Sequence, residues 1–385
     1  MNDTRRTVLN DKKKILLVAN VSKEHVLKFH VPTIKALVDE GWHVDVACSG
    51  TEEVPYCNTQ FKMSWKRSPF NFALFKGIKE LKKIVKDGQY DIIYCHTPVG
   101  ALVARLAGRK ARKKGTKIIY MAHGLHFFKG ANPVYWLTFY PIEKWLSRFT
   151  DVMILVNQED YDIVKEKFHH KSGTYLVCEI GTNIERFVVK NKAEIRQEYR
   201  KQLNIEDDAT VLVYLAELIK NKNQTMLMRV LKSLIKEGHN VYLVLAGVDH
   251  TKGTFMAYAN EMGVANRIRF LGWRSDVQNI YVMSDICTAA SIREGFGINI
   301  VEAMAAGLPV VASDNRGHRT IIRDGENGFL VPLKDEELFA KRIMEVASNK
   351  TLSTKLIEES QKDIEKYSIE SCVQRLKEIL ASYID

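Results

Sequence analysis

Apolar residues fall in short unbroken runs along this chain. Between the runs, apolar positions recur every three or four residues. The first run, residues 13–19, shows no polar alternation and fits a strand buried on both faces. Residues 30–40 then have helical spacing, ended by Gly41. Residues 42–48, 90–95 and 116–121 repeat the strand pattern, with a helix between the last two. A second series begins near Thr210, with strands at 211–215, 241–246, 268–271, 286–290 and 309–312 and a helix at 225–236. Strand–helix alternation of this kind predicts doubly wound, mainly parallel α/β sheets. The length of 385 residues suits two such domains, each with its own core. The expected division is at 1–185 and 186–366, after the Gly181-Thr182-Asn183 turn, and residues 352–385 read as helical.

The segment SIREGFGINIVEAMAAGLPVVAS, residues 291–313, carries the most chemistry. It reads as strand, glycine loop, helix, strand. Ile298, Val301, Met304 and Ala305 share one helical face, Gly307 ends the helix, and Pro309 blocks its return. Gly295 and Gly297 let backbone approach a ligand closely. Amide groups at the helix start suit phosphate oxygens. Glu302, one turn in, can accept hydrogen bonds from the paired hydroxyls of a sugar. Together these parts predict a sugar-nucleotide site. A glycosidase acid pair fits less well: its carboxyls lie roughly 5–9.5 Å apart. The helical stretch before Glu302 alone rises about 7.5 Å and turns that side chain away from Glu294.

This Glu294…Glu302 spacing resembles the E-x7-E motif of the retaining family 4 glycosyltransferases. The segments 94–130 and 141–152 are similar to the bacterial branch that builds exopolysaccharide and capsule. The resemblance implies the GT-B fold: two Rossmann-like, doubly wound domains facing across a cleft. In it, residues 1–185 bind acceptor, 186–366 bind the nucleotide sugar, and the last helix, 367–385, crosses back to the first domain. It further implies that Glu302 holds the ribose, that Glu294 contacts the donor sugar, and that the amides of Phe296, Gly297 and Ile298 meet the sugar and diphosphate. Lys222-Asn223 matches a phosphate-binding pair, and His123 matches a histidine close to the donor sugar. The family's leaving phosphate is held to take the acceptor's proton, so no separate base is required. Two positions depart from the pattern. Ala216-Glu217 stands where many relatives have Gly-Arg, and Val21-Ser22-Lys23 replaces a Gly-Gly.

Charge adds a location. Residues 1–180 carry 29 Lys and Arg against 18 Asp and Glu, and residues 181–385 carry 28 against 28, so the whole excess of +11 lies in the first half. Lys76, Lys79, Lys83 and Lys86 share one stripe of a helix, near Phe70, Phe72 and Phe75, and Arg105, Arg109, Arg112 and Lys113 cluster on another. One reading is a solvated basic face; the other is contact with an anionic membrane surface, where a lipid-linked acceptor lies. His96 is a further candidate acceptor contact. Nucleic acid is not expected as a partner, since no binding module accompanies the charge.

The six cysteines are scattered without a pairing pattern, which suits a reducing compartment. No leader or spanning segment is expected, giving a cytoplasmic protein peripheral on the inner membrane face. No metal or other cofactor is expected. His123 and His126 form only a pair, and Asp160-Tyr161-Asp162 reads as the acidic opening of a helix after Asn157. The function expected is retaining, metal-independent transfer of a sugar from a UDP-sugar to a polyprenyl-diphosphate-linked glycan. The alternative is an inactive homologue acting as a scaffold in a polysaccharide-synthesis complex, with Glu217 as its support.

Overall fold

The structure is a computed structural model that describes residues 12–65, 73–179 and 181–384. Two compact units result. One runs to residue 180 and takes in Cys372–Asp385; the other is Gly181–Ser371.

The first unit is built on strands β1 (Lys14–Val21), β2 (His43–Ser49), β3 (Thr59–Lys62), β4 (Ile92–His96), β5 (Lys117–Ala122), β6 (Val152–Leu155) and β7 (Gly173–Leu176). Among the described residues they form one sheet in the order β3-β2-β1-β4-β5-β6-β7, with parallel pairing throughout. The order reverses between β1 and β4. Helices cover both faces, so β1, β4 and β5 are buried along nearly their whole length. The helix Ala73–Gly88 turns Leu81 and Val85 into this core and leaves its lysines outside. Phe70 and Phe72 lie outside the described residues. The end of the chain closes the unit: Cys372 Sγ donates to the Cys178 carbonyl at 3.1 Å, and Tyr383 and Tyr175 join hydroxyls at 3.0 Å.

The second unit holds β8 (Thr210–Leu215), β9 (Val241–Ala246), β10 (Ile268–Phe270), β11 (Ile286–Ala289), β12 (Val310–Ser313) and β13 (Phe329–Val331). Their order is β10-β9-β8-β11-β12-β13, again parallel, and it reverses between β8 and β11. In such sheets ligands bind beyond the strand ends at the reversal. Two doubly wound α/β units are therefore present, as the alternation predicts. The strands β3, β6, β7 and β13 are absent from that prediction. Three of them have four residues and one has three, too few for a periodic pattern to stand out.

Candidate functional site

In the second unit, the loops after β8 and β11 converge at the point of reversal. Lys222 closes a short turn after β8, and Asn223 follows in a left-handed conformation that starts the helix Gln224–Lys236. The two loops are tied together by backbone: Ile292 N–H donates to the Asn221 carbonyl at 2.8 Å, and the Asn221 amide donates to the Arg293 carbonyl at 2.9 Å. This brings Lys222 Nζ to 2.5 Å from Glu294 Oε1, although 72 residues separate them. Ser291 Oγ donates to the same carboxylate oxygen at 2.6 Å and is itself paired with Tyr214. Burial alone would raise the Glu294 carboxyl, but Lys222 and His318 hold it below the usual carboxylate range. Lys222 is thus half of an ion pair.

Beyond Glu294 the chain must turn sharply into the helix Ile298–Ala306. Gly297 makes that turn at φ +132°, in a region closed to most side chains. Phe296, buried against the Tyr367 ring at 5.8 Å, anchors the loop from below. A second loop, after β12, closes on the first. Asn315 Oδ1 accepts from the amides of Gly317 and His318 at 3.0 and 3.1 Å. A Cβ at Gly317 would stand 2.5 Å from the Phe296 carbonyl and 2.7 Å from Glu294 Cβ, so this contact requires glycine. Arg316 Nε approaches the Glu294 carbonyl at 3.4 Å. His318 donates from Nδ1 to the Ser313 carbonyl at 2.7 Å. Sequence reasoning missed Ser291, Arg316, Gly317 and His318. The signal was a second polar, glycine-containing loop directly after a buried strand.

Glu302 has different partners. Tyr281, wholly buried, shares its single hydroxyl proton between Glu302 Oε2 at 3.1 Å and the Asn299 carbonyl at 3.0 Å. Burial pushes the Glu302 carboxyl up to about 7, against the pull of Tyr281 and Arg186. The Asn299 side-chain nitrogen, in the first turn of the same helix, is buried without a partner. A donor left so costs about 1–3 kcal/mol, a cost that a bound acceptor would remove. The two glutamates of the motif therefore stand in separate settings, one beside a lysine and one beside a tyrosine. Glu217, at the position where the resemblance implies an arginine, is half exposed and 3.8 Å from His250.

The Glu302 shift makes a stability prediction. From the ordinary carboxylate range up to about 7, the folded chain keeps a proton that the unfolded chain has lost. Stability should therefore fall as pH rises through that window, by on the order of 3 kcal/mol. Thermal melts between pH 5 and 8 should show this fall in the wild type and a flatter profile in Glu302→Gln. Parallel profiles for the two proteins would contradict the shift.

The first unit places His96 at the end of β4 and His123 just after β5. His96 Nδ1 and His123 Nε2 are 3.3 Å apart, and His123 Nδ1 faces Glu179 Oε1 at 3.2 Å. His25 and His30, unnoticed in the sequence, join them. His126 instead stacks on Phe139, with ring centroids 4.4 Å apart. Asp160 is structural: its carboxylate accepts from the Leu125 amide and from Asn157, both at 2.9 Å.

The basic residues divide. Lys76, Lys79, Lys83 and Lys86 are exposed. Arg109 is exposed too, its guanidinium 4.2 Å from the Phe149 ring. Arg105 corrects the expectation. It is fully buried, paired with Glu143 at 2.8 Å and set over Tyr120, and so is unable to reach a membrane. Breaking such a pair on one side costs about 3–5 kcal/mol. Arg112 is likewise held in the fold, donating from Nε to both Asp151 oxygens at 3.0 Å. His96 is fully buried and presents no surface to an acceptor.

Comparison with known proteins covers both units. Residues 195–363 match the family model described as glycosyl transferases group 1, and residues 14–157 match the one described as glycosyl transferase 4-like. The chain is 41% identical over 97% of its length, and 97% of the relative's, to EpsD of Bacillus subtilis (strain 168), a glycosyltransferase by provisional name. It is 24% identical to the UDP-Gal:alpha-D-GlcNAc-diphosphoundecaprenol alpha-1,3-galactosyltransferase of Escherichia coli, over 82% of this chain and 81% of that one. The fold resembles the crystal structure of HepE from Anabaena in complex with UDP and glucose. There the TM-score is 0.78 at 20% identity, covering 96% of this chain and 100% of HepE.

Proposed function

The chain belongs to the group 1, family 4-like glycosyltransferases, and from that membership we propose a specific reaction. It moves a sugar from a UDP donor to a lipid-linked glycan, with retention of anomeric configuration and without a metal in the transfer step. One observation carries the reading: Lys222, Glu294 and Glu302 are gathered around a glycine-led helix start at the reversal of the second sheet. The helix start and Lys222 suit the diphosphate, where charge grows as the glycosidic bond breaks. Glu302 is suited to the ribose hydroxyls. Glu294, already ionised, is suited to hydroxyls of the donor sugar. Asn223 and the amides of Phe296, Gly297 and Ile298 complete the donor contacts. His123, steadied by Glu179, supplies the first unit's contact with that sugar. The leaving phosphate takes the acceptor's proton. UDP in the HepE complex and the UDP-galactose donor named for the Escherichia coli relative support the choice of nucleotide. A panel of nucleotide sugars tests it: turnover with UDP-sugars is expected. Binding without turnover on any acceptor would favour the scaffold reading, to which Glu217 belongs.

The lipid-linked acceptor has separate support. The Escherichia coli relative is named for a diphosphoundecaprenol-linked acceptor. Among the described residues no helix is long and apolar enough to cross a membrane. The helix Pro133–Ser147 nevertheless exposes Val134, Leu137, Ile142 and Trp145, with Leu137 77% exposed. Apolar side chains exposed on one helix and lysines exposed on another, both in the first unit, suit the surface of an anionic leaflet. Each lysine near such a surface contributes about 1 kcal/mol, so Lys76, Lys79, Lys83 and Lys86 could hold the enzyme there reversibly. Liposome co-sedimentation should show binding to anionic vesicles at low salt, weakened at high salt. Replacing these four lysines by Glu should abolish it and leave UDP affinity intact. Equal sedimentation of wild type and variant would reduce that helix to a solvated face.

A further inference from the structure

The ends of β1, β4 and β5 gather four histidines, of which the transferase reading uses one. His25 lies in a wide, π-type turn, Ser22–Val26, that follows β1. His30 comes five residues later, His96 ends β4, and His123 follows β5. The first sheet reverses its order between β1 and β4, so the cluster occupies that unit's own ligand-binding position. Turns of the π type are often found at functional sites. Each histidine offers a ring nitrogen, and these four atoms lie within 4.8 Å of one another. His25 Nε2 and His30 Nε2 are 3.0 Å apart, and His96 Nδ1 and His123 Nε2 are 3.3 Å apart. A tetrahedral ion with bonds of about 2.0–2.1 Å separates its nitrogens by roughly 3.4 Å.

Two features favour a cation over four imidazoles bonded only to each other. As metal-free imidazoles, His30 and His96 each leave a buried ring nitrogen, Nδ1 and Nε2 respectively, without a partner. A ring that binds through that nitrogen, or turns to do so, gains a ligand there. Finally, Glu179 beside His123 Nδ1 forms the carboxylate–histidine arrangement that orients metal-binding imidazoles. A donor set of nitrogens alone suits Zn2+ and its neighbours rather than Mg2+ or Ca2+.

We propose that His25, His30, His96 and His123 form a binding site for one Zn2+-class divalent cation. Small rotations of the rings would draw the wider nitrogen pairs to the tetrahedral spacing. The site rests on no part of the transferase reading and meets it only at His123.

The test uses the full-length, tag-free protein stripped with a chelator. Co2+ titration should give the strong visible absorption of a tetrahedral site, saturating at one ion per chain and displaced by Zn2+. The double variant His25→Ala/His30→Ala should bind Zn2+ more than ~100-fold more weakly. Far-UV circular dichroism checks its fold. Should that variant not fold, His25→Gln alone should still remove the tetrahedral spectrum. Absence of a tetrahedral Co2+ spectrum and of stoichiometric Zn2+ in the wild type would overturn the proposal, as would equal Zn2+ affinity in a folded variant. UDP calorimetry on the same samples reads the second unit separately. A chain that binds Zn2+ and fails to bind UDP would count against the transferase reading alone.

Discussion

Glu294→Ala is expected to lower sugar transfer by about 10²- to 10³-fold while changing UDP affinity by less than about threefold. The carboxylate is ionised and fixed by Lys222 and Ser291, a preorganised acceptor that suits the sugar hydroxyls proposed to meet it. Contacts to the moving group gain strength in the transition state and appear in kcat. UDP lacks that group, and its diphosphate gains rather than loses when Lys222 is released from its carboxylate partner. His123→Ala should show the same division, since its imidazole is assigned to the sugar and not to the nucleotide. Steady-state rates at saturating donor, set beside UDP calorimetry, measure both quantities. Glu294→Gln keeps the packing and controls for collapse of the loop. Equal losses of transfer and UDP binding in either alanine variant would mean that its role is misassigned.

Glu302→Ala should act on binding itself. At pH 8, above the raised range of the carboxyl, charge-assisted hydrogen bonds to ribose hydroxyls are worth about 1.5–3 kcal/mol, so the UDP dissociation constant should rise roughly 10- to 150-fold there. The variant should fold, because Tyr281 keeps the Asn299 carbonyl as acceptor when the carboxylate is gone. Removal of a buried carboxyl that prefers its proton should even favour the folded state at pH 8. A folded variant with wild-type UDP affinity would sink the ribose assignment.

The contrast between the two units explains what could be read from the chain. Glu294, Gly297, the helix Ile298–Ala306 and Glu302 are contiguous, so periodicity, glycine placement and charge all bear on one segment. Lys222 was legible as a residue after a buried strand, but its pairing with Glu294 depends on β8 lying beside β11. Adjacency of that kind is a property of the sheet order, which no local pattern carries. The histidine cluster was hidden for the same reason. Single histidines after strands, and a pair spaced by five, say nothing until β1, β4 and β5 are set side by side. Arg105 misled because a helix shows its polar stripe without showing what covers it. The partner Glu143 arrives 38 residues later, on the helix Pro133–Ser147.

The central claim is retaining transfer from a UDP-sugar to a lipid-linked glycan. Its most direct measurement incubates the purified protein with labelled UDP-sugars and a polyprenyl-diphosphate-linked acceptor, then reads the anomeric configuration of the new bond by NMR. The account predicts label on the lipid-linked product, UDP released in equal amount, and the donor's anomeric configuration preserved. An inverted linkage, or bound UDP-sugar that is never transferred, would contradict it.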